Sequence, residues 1–477
     1  MNPWEWLLVL GAVALVLARW LPPRPRRPLT FAAPAVVALS GAVLGVLGMR
    51  WQMVPVLVGA AVALPFALSP LLRQRTRRAP WWLALPASVV CLALIAAGPA
   101  AAWALPTPVF PEPSGRFAVG THVLELTDPQ RPETATPAPD DRRTVVAQFW
   151  YPARQAPAGS RRAPYLGRTE HEARVVSGAL ANYAGLPAML LDGLPRARTH
   201  AVYDAAVAGD GAGDGERFPV VLFSPGLGGV RTQNTAWAQE LASHGYVVVG
   251  LDHPYDSAAV VLADGRTVRT EVSATGDDAE DEKRAAGWTA VRAADLRFVR
   301  AQLGRVQSGE IAGPLAGHLD TGRVAAAGHS LGGGAALQAA RQDPGFAAVI
   351  DLDGFPHDPD PQPFRQPVLA LTQAVGPDTD PDYLPRLTRV LGLSSATSYR
   401  LTVPGTAHLT FTDAPLYLPP LPSLVGSLDR TEGPRITAAA SIAFLDRTLR
   451  DDPGGAADPA AALSAYGSLV VHPKSGA

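Results

Sequence analysis

Cysteine is nearly absent from this chain. Cys91 stands alone in 477 residues and lies in an apolar run, which excludes an intrachain disulfide and a cysteine-based metal cluster. Lysine is almost as scarce, at Lys283 and Lys474, while arginine, alanine and proline abound; this reads as a genomic composition bias. Acidic residues are missing from one part of the chain. Residues 1–105 hold nine arginines and a single acid, Glu5, whereas the remainder holds 32 basic and 41 acidic residues. An acidic body has no electrostatic footprint for nucleic acid, so no nucleic-acid partner is expected. No internal repeat is present, and no glycine-rich stretch carries the G-K-[ST] of a P-loop or the spacing of G-x-G-x-x-G. A phosphate-binding loop is therefore not expected, nor any cofactor or metal.

Long apolar runs do occur, all near the start: Trp4–Leu21, Leu29–Gly48, Trp51–Leu72 and Trp81–Leu105. Each approaches the roughly 20 residues that cross about 30 Å of hydrocarbon as a helix. Tryptophans near their ends fit an interfacial belt. Arg19, Arg24, Arg26 and Arg27 follow the first run, Arg73, Arg75, Arg77 and Arg78 the third, and only Arg50 separates the second from the third. The positive-inside rule then puts the first and third loops in the cytoplasm and everything after residue 105 outside it. A cleaved signal peptide is the competing reading of the first run, but Met1-Asn-Pro-Trp-Glu-Trp6 has no basic start. Residues 1–105 are thus expected to be a membrane anchor of about four transmembrane helices. A three-span arrangement would invert the rest of the chain.

Beyond a proline-rich linker, 106–115, the pattern changes. Phe117–Leu126 and Thr144–Tyr151 alternate as strands and are expected to form an antiparallel edge. Residues 168–203 look helical. Phe218–Phe223, Tyr246–Leu251, Val324–Ala327, Ala347–Leu352, Val368–Thr372 and Tyr399–Val403 are short, wholly apolar runs separated by helical patterns at Thr235–His244, Thr289–Val306 and Ile436–Leu449. Such runs suit strands of a mostly parallel sheet with helices on both faces. The expected catalytic domain is 116–450, and 451–477 reads as a loosely ordered tail.

Gly328-His-Ser-Leu-Gly332 carries the chemistry. G-x-S-x-G between a strand and a helix is a turn too tight for flanking side chains, which holds Ser330 at its apex with the hydroxyl exposed. A serine needs an adjacent base, itself oriented by an acid. In parallel-sheet hydrolases these follow in the order Ser, Asp/Glu, His at the carboxyl ends of strands. Asp353, directly after the run Ala347–Leu352, is the favoured acid; Asp378 and Asp380, one strand later, are the alternatives. Of ten histidines, His408 follows the last strand and is the expected base. His329 is set aside because it points away from the apex. The oxyanion hole needs two backbone N–H groups. Leu331, just after the nucleophile, and Leu227, in Ser224-Pro-Gly-Leu-Gly-Gly229, are the expected donors.

Phe149-Trp-Tyr-Pro152, Phe223-Ser-Pro-Gly-Leu-Gly-Gly-Val-Arg-Thr232, Leu241-Ala-Ser-His-Gly-Tyr246, Asp252-His-Pro-Tyr-Asp-Ser-Ala258, Gly328-His-Ser-Leu-Gly-Gly333 and Leu352-Asp-Gly354 together resemble the plasma-type platelet-activating factor acetylhydrolases over about residues 116–450. The resemblance implies an α/β-hydrolase fold and metal-free hydrolysis of esters, typically short or oxidised sn-2 acyl chains of phospholipids. It also implies nucleophile, acid and base at Ser330, Asp353 and His408, with oxyanion donors at Leu227 and Leu331. Pro225 stands where family members commonly have histidine, and the apolar N-terminus departs from the secreted enzymes. A serine esterase or lipase is therefore expected. An acyltransferase with the same triad, a general or polyester-type esterase and a non-catalytic membrane receptor are the competing readings.

Overall fold

The computed structural model describes residues 1–72, 80–157, 159–209, 216–273, 275–376, 380–450 and 459–473. It divides into two compact units, Met1–Thr107 and Pro108–Ala477.

The first unit is helical: α1 (Pro3–Ala18), α2 (Pro23–Leu47), α3 (Val54–Leu72) and α4 (Trp81–Ala104). Leu8, Ala12 and Leu15 of α1 bury against Val56 and Ala60 of α3 and against Cys91 and Ile95 of α4. Trp6, Leu10, Phe31, Trp81 and Trp103 lie on the outside. An apolar exterior of this kind is stable in lipid rather than in water. Among the described residues, three helices are long and apolar enough to cross a membrane; α1 is shorter. At 16 residues it rises about 24 Å. The expected four spans are thus three of spanning length and one short helix. Asn2 and Glu5 close a capping box at the start of α1, and the Glu5 carboxylate lies 3.8 Å from Arg50. Arg50 and Gln52 both donate to the Leu105 carbonyl, at 3.4 and 3.1 Å. The start of α1, the turn before α3 and the end of α4 therefore meet at one end of the bundle.

In the second unit, among the described residues, eleven strands form one sheet: β1 (Ala118–Pro132), β2 (Arg142–Ala153), β3 (Arg162–Pro164), β4 (Arg198–Tyr203), β5 (Phe218–Ser224), β6 (Val247–Asp252), β9 (Leu319–His329), β10 (Phe346–Leu352), β11 (Val368–Thr372), β12 (Ser398–Thr402) and β13 (Ser468–His472). The order is β13-β12-β11-β10-β9-β5-β6-β2-β1-β4-β3, and β6, β5, β9, β10, β11 and β12 run parallel. A separate hairpin pairs β7 (Ala259–Val261) with β8 (Thr267–Arg269). The helices are α5 (Glu170–Tyr183), α6 (Thr235–Ser243), α7 (Asp278–Gln307), α8 (Leu331–Gln342), α9 (Tyr383–Leu391), α10 (Pro422–Val425), α11 (Glu432–Leu449) and α12 (Pro459–Leu463).

The apolar runs are continuous because each strand feeds two cores by alternation. Val220 and Leu222 of β5, with Val324 and Ala326 of β9, face α7, α8 and α9 through Leu296, Val299, Leu337 and Leu387. Their neighbours Val221, Phe223, Ala325 and Ala327 face α6 and α11 through Trp237, Leu241, Ile436 and Phe444. Each fully buried Val, Leu or Phe among these contributes ~1.5–3 kcal/mol.

Several expectations are corrected. The two opening strands are not an edge, because β2 pairs with β6 while β4 pairs parallel with β1 and β3 lies beyond it. Residues 168–203 are only partly helical, since Arg198–Tyr203 is β4. Within the expected tail, β13 pairs antiparallel with β12 and extends the sheet past residue 450. The acidic stretch before Thr289 is the start of α7, where the Asp277 side chain accepts from the Glu280 N–H. The helix thus begins eleven residues before the expected Thr289, in a charged stretch with no apolar period to mark it.

Candidate active site

Ser330, Asp353, His408 and the Ser224–Gly229 loop follow β9, β10, β12 and β5 respectively, at the carboxyl ends of parallel strands. Register aligns them: Ser224 and Asp351 both pair with Gly328, and Leu352 pairs with His329. This is where open parallel sheets place their ligands.

Ser330 caps α8 at φ 56°, ψ −125°, a conformation few non-glycine residues adopt. Neighbouring peptides enforce it. The Ser330 N–H donates to the Leu352 carbonyl at 3.0 Å, and the Ser330 carbonyl accepts from Gly333 at 2.9 Å. A Cβ on Gly332 would strike the Ser224 carbonyl, and one on Gly328 the Gly332 carbonyl. The glycine spacing is thus a packing requirement of the turn.

Asp353, also at positive φ (52°), receives four hydrogen-bonding partners. Its N–H donates to the Leu371 carbonyl at 2.7 Å. Its Oδ1 accepts from the Gln373 N–H and the Tyr383 hydroxyl, both at 2.8 Å. Oδ2 lies 2.7 Å from His408 Nδ1. Burial, and then the Asp353 charge, raise the Tyr383 phenol far above its ordinary range, so it stays a donor. An acceptor at Nδ1 fixes the His408 proton there and leaves Nε2 as the basic nitrogen. The His408 side chain is 43% exposed, whereas that of Asp353 is 1% exposed. The base therefore faces the cleft and its acid is hidden behind it. Asp380 stands at the cleft with its Oδ1 on the Asp382 N–H. Asp378 lies outside the described residues.

Ser330, Asp353 and His408 line one cavity of about 310 Å³ together with Leu227, Leu331, Trp288, Phe355, His357 and Tyr383. Leu331 opens α8, so its N–H has no intrahelical acceptor. The structure thus gathers all five expected site residues in one cleft. Among the described residues, no group of three or more His, Cys, Asp or Glu could hold a metal.

Sequence reasoning missed the supports. Gln373 and Tyr383 hold the acid, and Trp288 and Phe355 form an aromatic wall. His329 is buried and serves the base from behind. Gln233 Oε1 accepts from the Gly226 N–H at 3.0 Å, so its amide donates to His329 Nδ1 at 2.8 Å. His329 Nε2 then donates to the His408 carbonyl at 2.9 Å. Burial, with a smaller contribution from His408, drives the His329 pKa well below the ordinary value, so the ring is neutral. The histidine within G-H-S-L-G was the available signal for this.

A family model described as platelet-activating factor acetylhydrolase, isoform II, matches residues 105–292 and 306–454. A probable 1-alkyl-2-acetylglycerophosphocholine esterase of Arthroderma benhamiae is 30% identical over 258 residues, 52% of this chain and 59% of its own. The platelet-activating factor acetylhydrolase of Cavia porcellus is 27% identical over 267 residues, covering 49% and 58%. The chain thus spans about three-fifths of the length of these relatives. Among solved structures, a ferulic acid esterase from Streptomyces cinnamoneus superposes with a TM-score of 0.58 at 28% identity, over 76% of this chain and 98% of its own. With the parallel sheet and the strand–serine–helix turn, this is an α/β-hydrolase fold.

Proposed function

Because the chain belongs to the platelet-activating factor acetylhydrolase, isoform II, family, we propose that it hydrolyses carboxylic esters with Ser330 as nucleophile, His408 as base and Asp353 as acid. The observation that carries this reading is the 2.7 Å contact between His408 Nδ1 and Asp353 Oδ2 beside Ser330 in one cleft. Ser330 Oγ attacks the ester carbonyl carbon and its proton passes to His408 Nε2. The carbonyl electrons move onto oxygen, where the N–H groups of Leu227 and Leu331 receive the charge. Collapse breaks the ester bond, and the departing alkoxide takes the proton from His408. Water then repeats the sequence on the acyl-serine and releases the acid. Asp353 holds the tautomer and stabilises the imidazolium throughout.

The relatives' names support a glycerophospholipid ester with a short acyl chain as substrate. A second reading, an aryl ester, is favoured by the aromatic wall of Trp288, Phe355 and Tyr383 and by the ferulic acid esterase neighbour. A panel of 2-acetyl phospholipids, short p-nitrophenyl esters and feruloyl esters, assayed with wild type and Ser330→Ala, tests the function and ranks the substrates. Equal hydrolysis by the two proteins would refute it.

We further propose that the chain crosses the membrane four times with residues 108–477 outside the cytoplasm. The Glu5–Arg50–Leu105 cluster supports an even number of crossings, and the arginines after α1 and α3 support a cytoplasmic opposite end. Alkaline phosphatase fused after residue 105 is then active, and fused after residue 75 inactive. The reverse pattern would overturn this topology.

A further inference from the structure

The loop that presents Leu227 is gripped from below by a side chain that no sequence motif marks. Arg292, in the middle of α7, is fully buried, and its guanidinium is surrounded by acceptors. Nε and Nη2 donate to the two oxygens of Asp256, each at 2.6 Å. Nη1 donates to the Pro225 carbonyl and lies 3.5 Å from Ser224 Oγ. The second Nη2 hydrogen goes to the Gly226 carbonyl at 3.0 Å. The Gly228 backbone N–H also favours the charged form of Asp256. Although burial favours its neutral form, the Arg292 charge holds its pKa below the usual carboxylate value.

This arrangement dictates where one N–H points. In a trans peptide the carbonyl and the following N–H lie on opposite sides. The Gly226 carbonyl accepts both from Arg292 and, at 2.8 Å, from the Gly229 N–H of its own turn, so the Leu227 N–H is turned up toward the cleft that Leu227 and Ser330 share. The Gly226 N–H is taken by Gln233 Oε1, which removes the flipped alternative for the preceding peptide. Pro225 has no N–H and a fixed φ.

Beneath the clamp lies a second Ser–His–Asp chain. Ser224 Oγ meets His253 Nε2 at 2.9 Å, and His253 Nδ1 meets Asp295 Oδ2 at 2.8 Å. All three are fully buried, so no substrate reaches them. Burial lowers the pKa of His253, leaving a neutral ring suited to bracing. Asp295 is held ionised by Arg143, at 2.7 Å, against the opposing effect of burial. This layer ties the end of β5 to α7 and keeps Arg292 in register with the loop.

We propose that Arg292, braced by Asp256, is the positioning residue of the oxyanion hole: it sets the direction of the Leu227 N–H without touching substrate. The proposal rests on the ester-hydrolase reading above. Its geometry requires the planar fork of arginine, because two carboxylate oxygens and two carbonyls are met in one plane, and a lysine ammonium cannot span them.

The test compares wild type with Arg292→Lys and Arg292→Met in the full chain. Removing an oxyanion donor costs about 10²–10³-fold in kcat. Arg292→Met is expected to lose about 10²-fold in kcat, with KM changed by less than about threefold. Arg292→Lys, able to hold one carbonyl, should fall between the two. Fluorophosphonate labelling of Ser330 should reach wild-type stoichiometry at a rate reduced in step with kcat, because that reagent also places an oxygen in the hole. The low-pH limb of kcat, which reports the base, should stay where it is. Should Arg292→Met fail to fold, Arg292→Lys carries the comparison. Wild-type kcat in Arg292→Lys, or activity lost only in proportion to labelled sites, would overturn the proposal. A wild-type chain with no turnover on any ester would sink the underlying function instead, before Arg292 is at issue.

Discussion

His329 donates from Nε2 to the backbone carbonyl of His408 at 2.9 Å, and the two rings lie 4.6 Å apart. The residue before the nucleophile therefore holds the backbone of the base. Through Gln233 the same ring is linked to Gly226, so elbow, base loop and oxyanion loop share one buried network. His329→Phe keeps an aromatic ring, slightly larger than the original, and leaves the His408 carbonyl and the Gln233 amide without their partner. Each orphaned group costs ~1–3 kcal/mol. The expected outcome is a loss of a few kcal/mol in urea unfolding and about tenfold in kcat, with Ser330 still labelled.

Tyr383→Phe removes one of the donors on Asp353 Oδ1 and leaves the Gln373 N–H in place. A single hydrogen bond to a charged group contributes about 1.5–3 kcal/mol. We expect kcat to fall about tenfold or somewhat more, with KM little changed, in a protein that still folds. Steady-state kinetics beside a thermal melt check this.

Asp353→Asn should cost far more. An amide can donate where His408 Nδ1 needs an acceptor, and the ring then turns to the wrong tautomer, a change worth about 10⁴-fold in kcat where this triad operates. Binding of a substrate analogue should survive. An activity within tenfold of wild type would point to Asp380 as the acid.

Asp351 gives a pH prediction. It is fully buried two residues before Asp353, with Oδ1 on the Gly354 N–H and Oδ2 unpartnered among the described residues. Burial, and then the Asp353 charge, push its pKa up to about 8. Between about pH 4 and pH 8 the unfolded chain has lost this proton and the folded chain keeps it. Folding stability therefore falls as pH rises through that window, by up to about 1.4 kcal/mol per unit. Asp351→Asn keeps the acceptor for Gly354 and removes the titration. Its stability relative to wild type should increase steadily from pH 4 to pH 8, as read by chemical denaturation. A constant difference across that range would contradict this account.

Much of the site was readable because its determinants are local or ordered along the chain. The Gly328–Gly332 spacing reports backbone crowding within one turn. Asp353 and His408 follow apolar runs whose lack of alternation means burial on both faces. The supports were not readable. Gln233 meets His329 across 96 residues of chain. Arg292 sits in a helix rich in charge, where nothing local separates a buried guanidinium from a solvated one. Strands β3, β4 and β13 were missed because they are short outer strands with partly exposed residues, without the apolar signature of the centre. The first apolar run extends three residues beyond the helix, because apolar Trp20 and Leu21 continue it past Ala18, where the helix ends.

Every catalytic step proposed above depends on Ser330 being an activated nucleophile. Mass spectrometry of the peptide containing Ser330, after timed exposure to a fluorophosphonate, tests this in wild type and in His408→Ala. One adduct per chain is expected on Ser330 in wild type, formed at least about 10³-fold more slowly once the base is gone. An unlabelled Ser330 in wild type, or equal labelling rates in the two proteins, would contradict it.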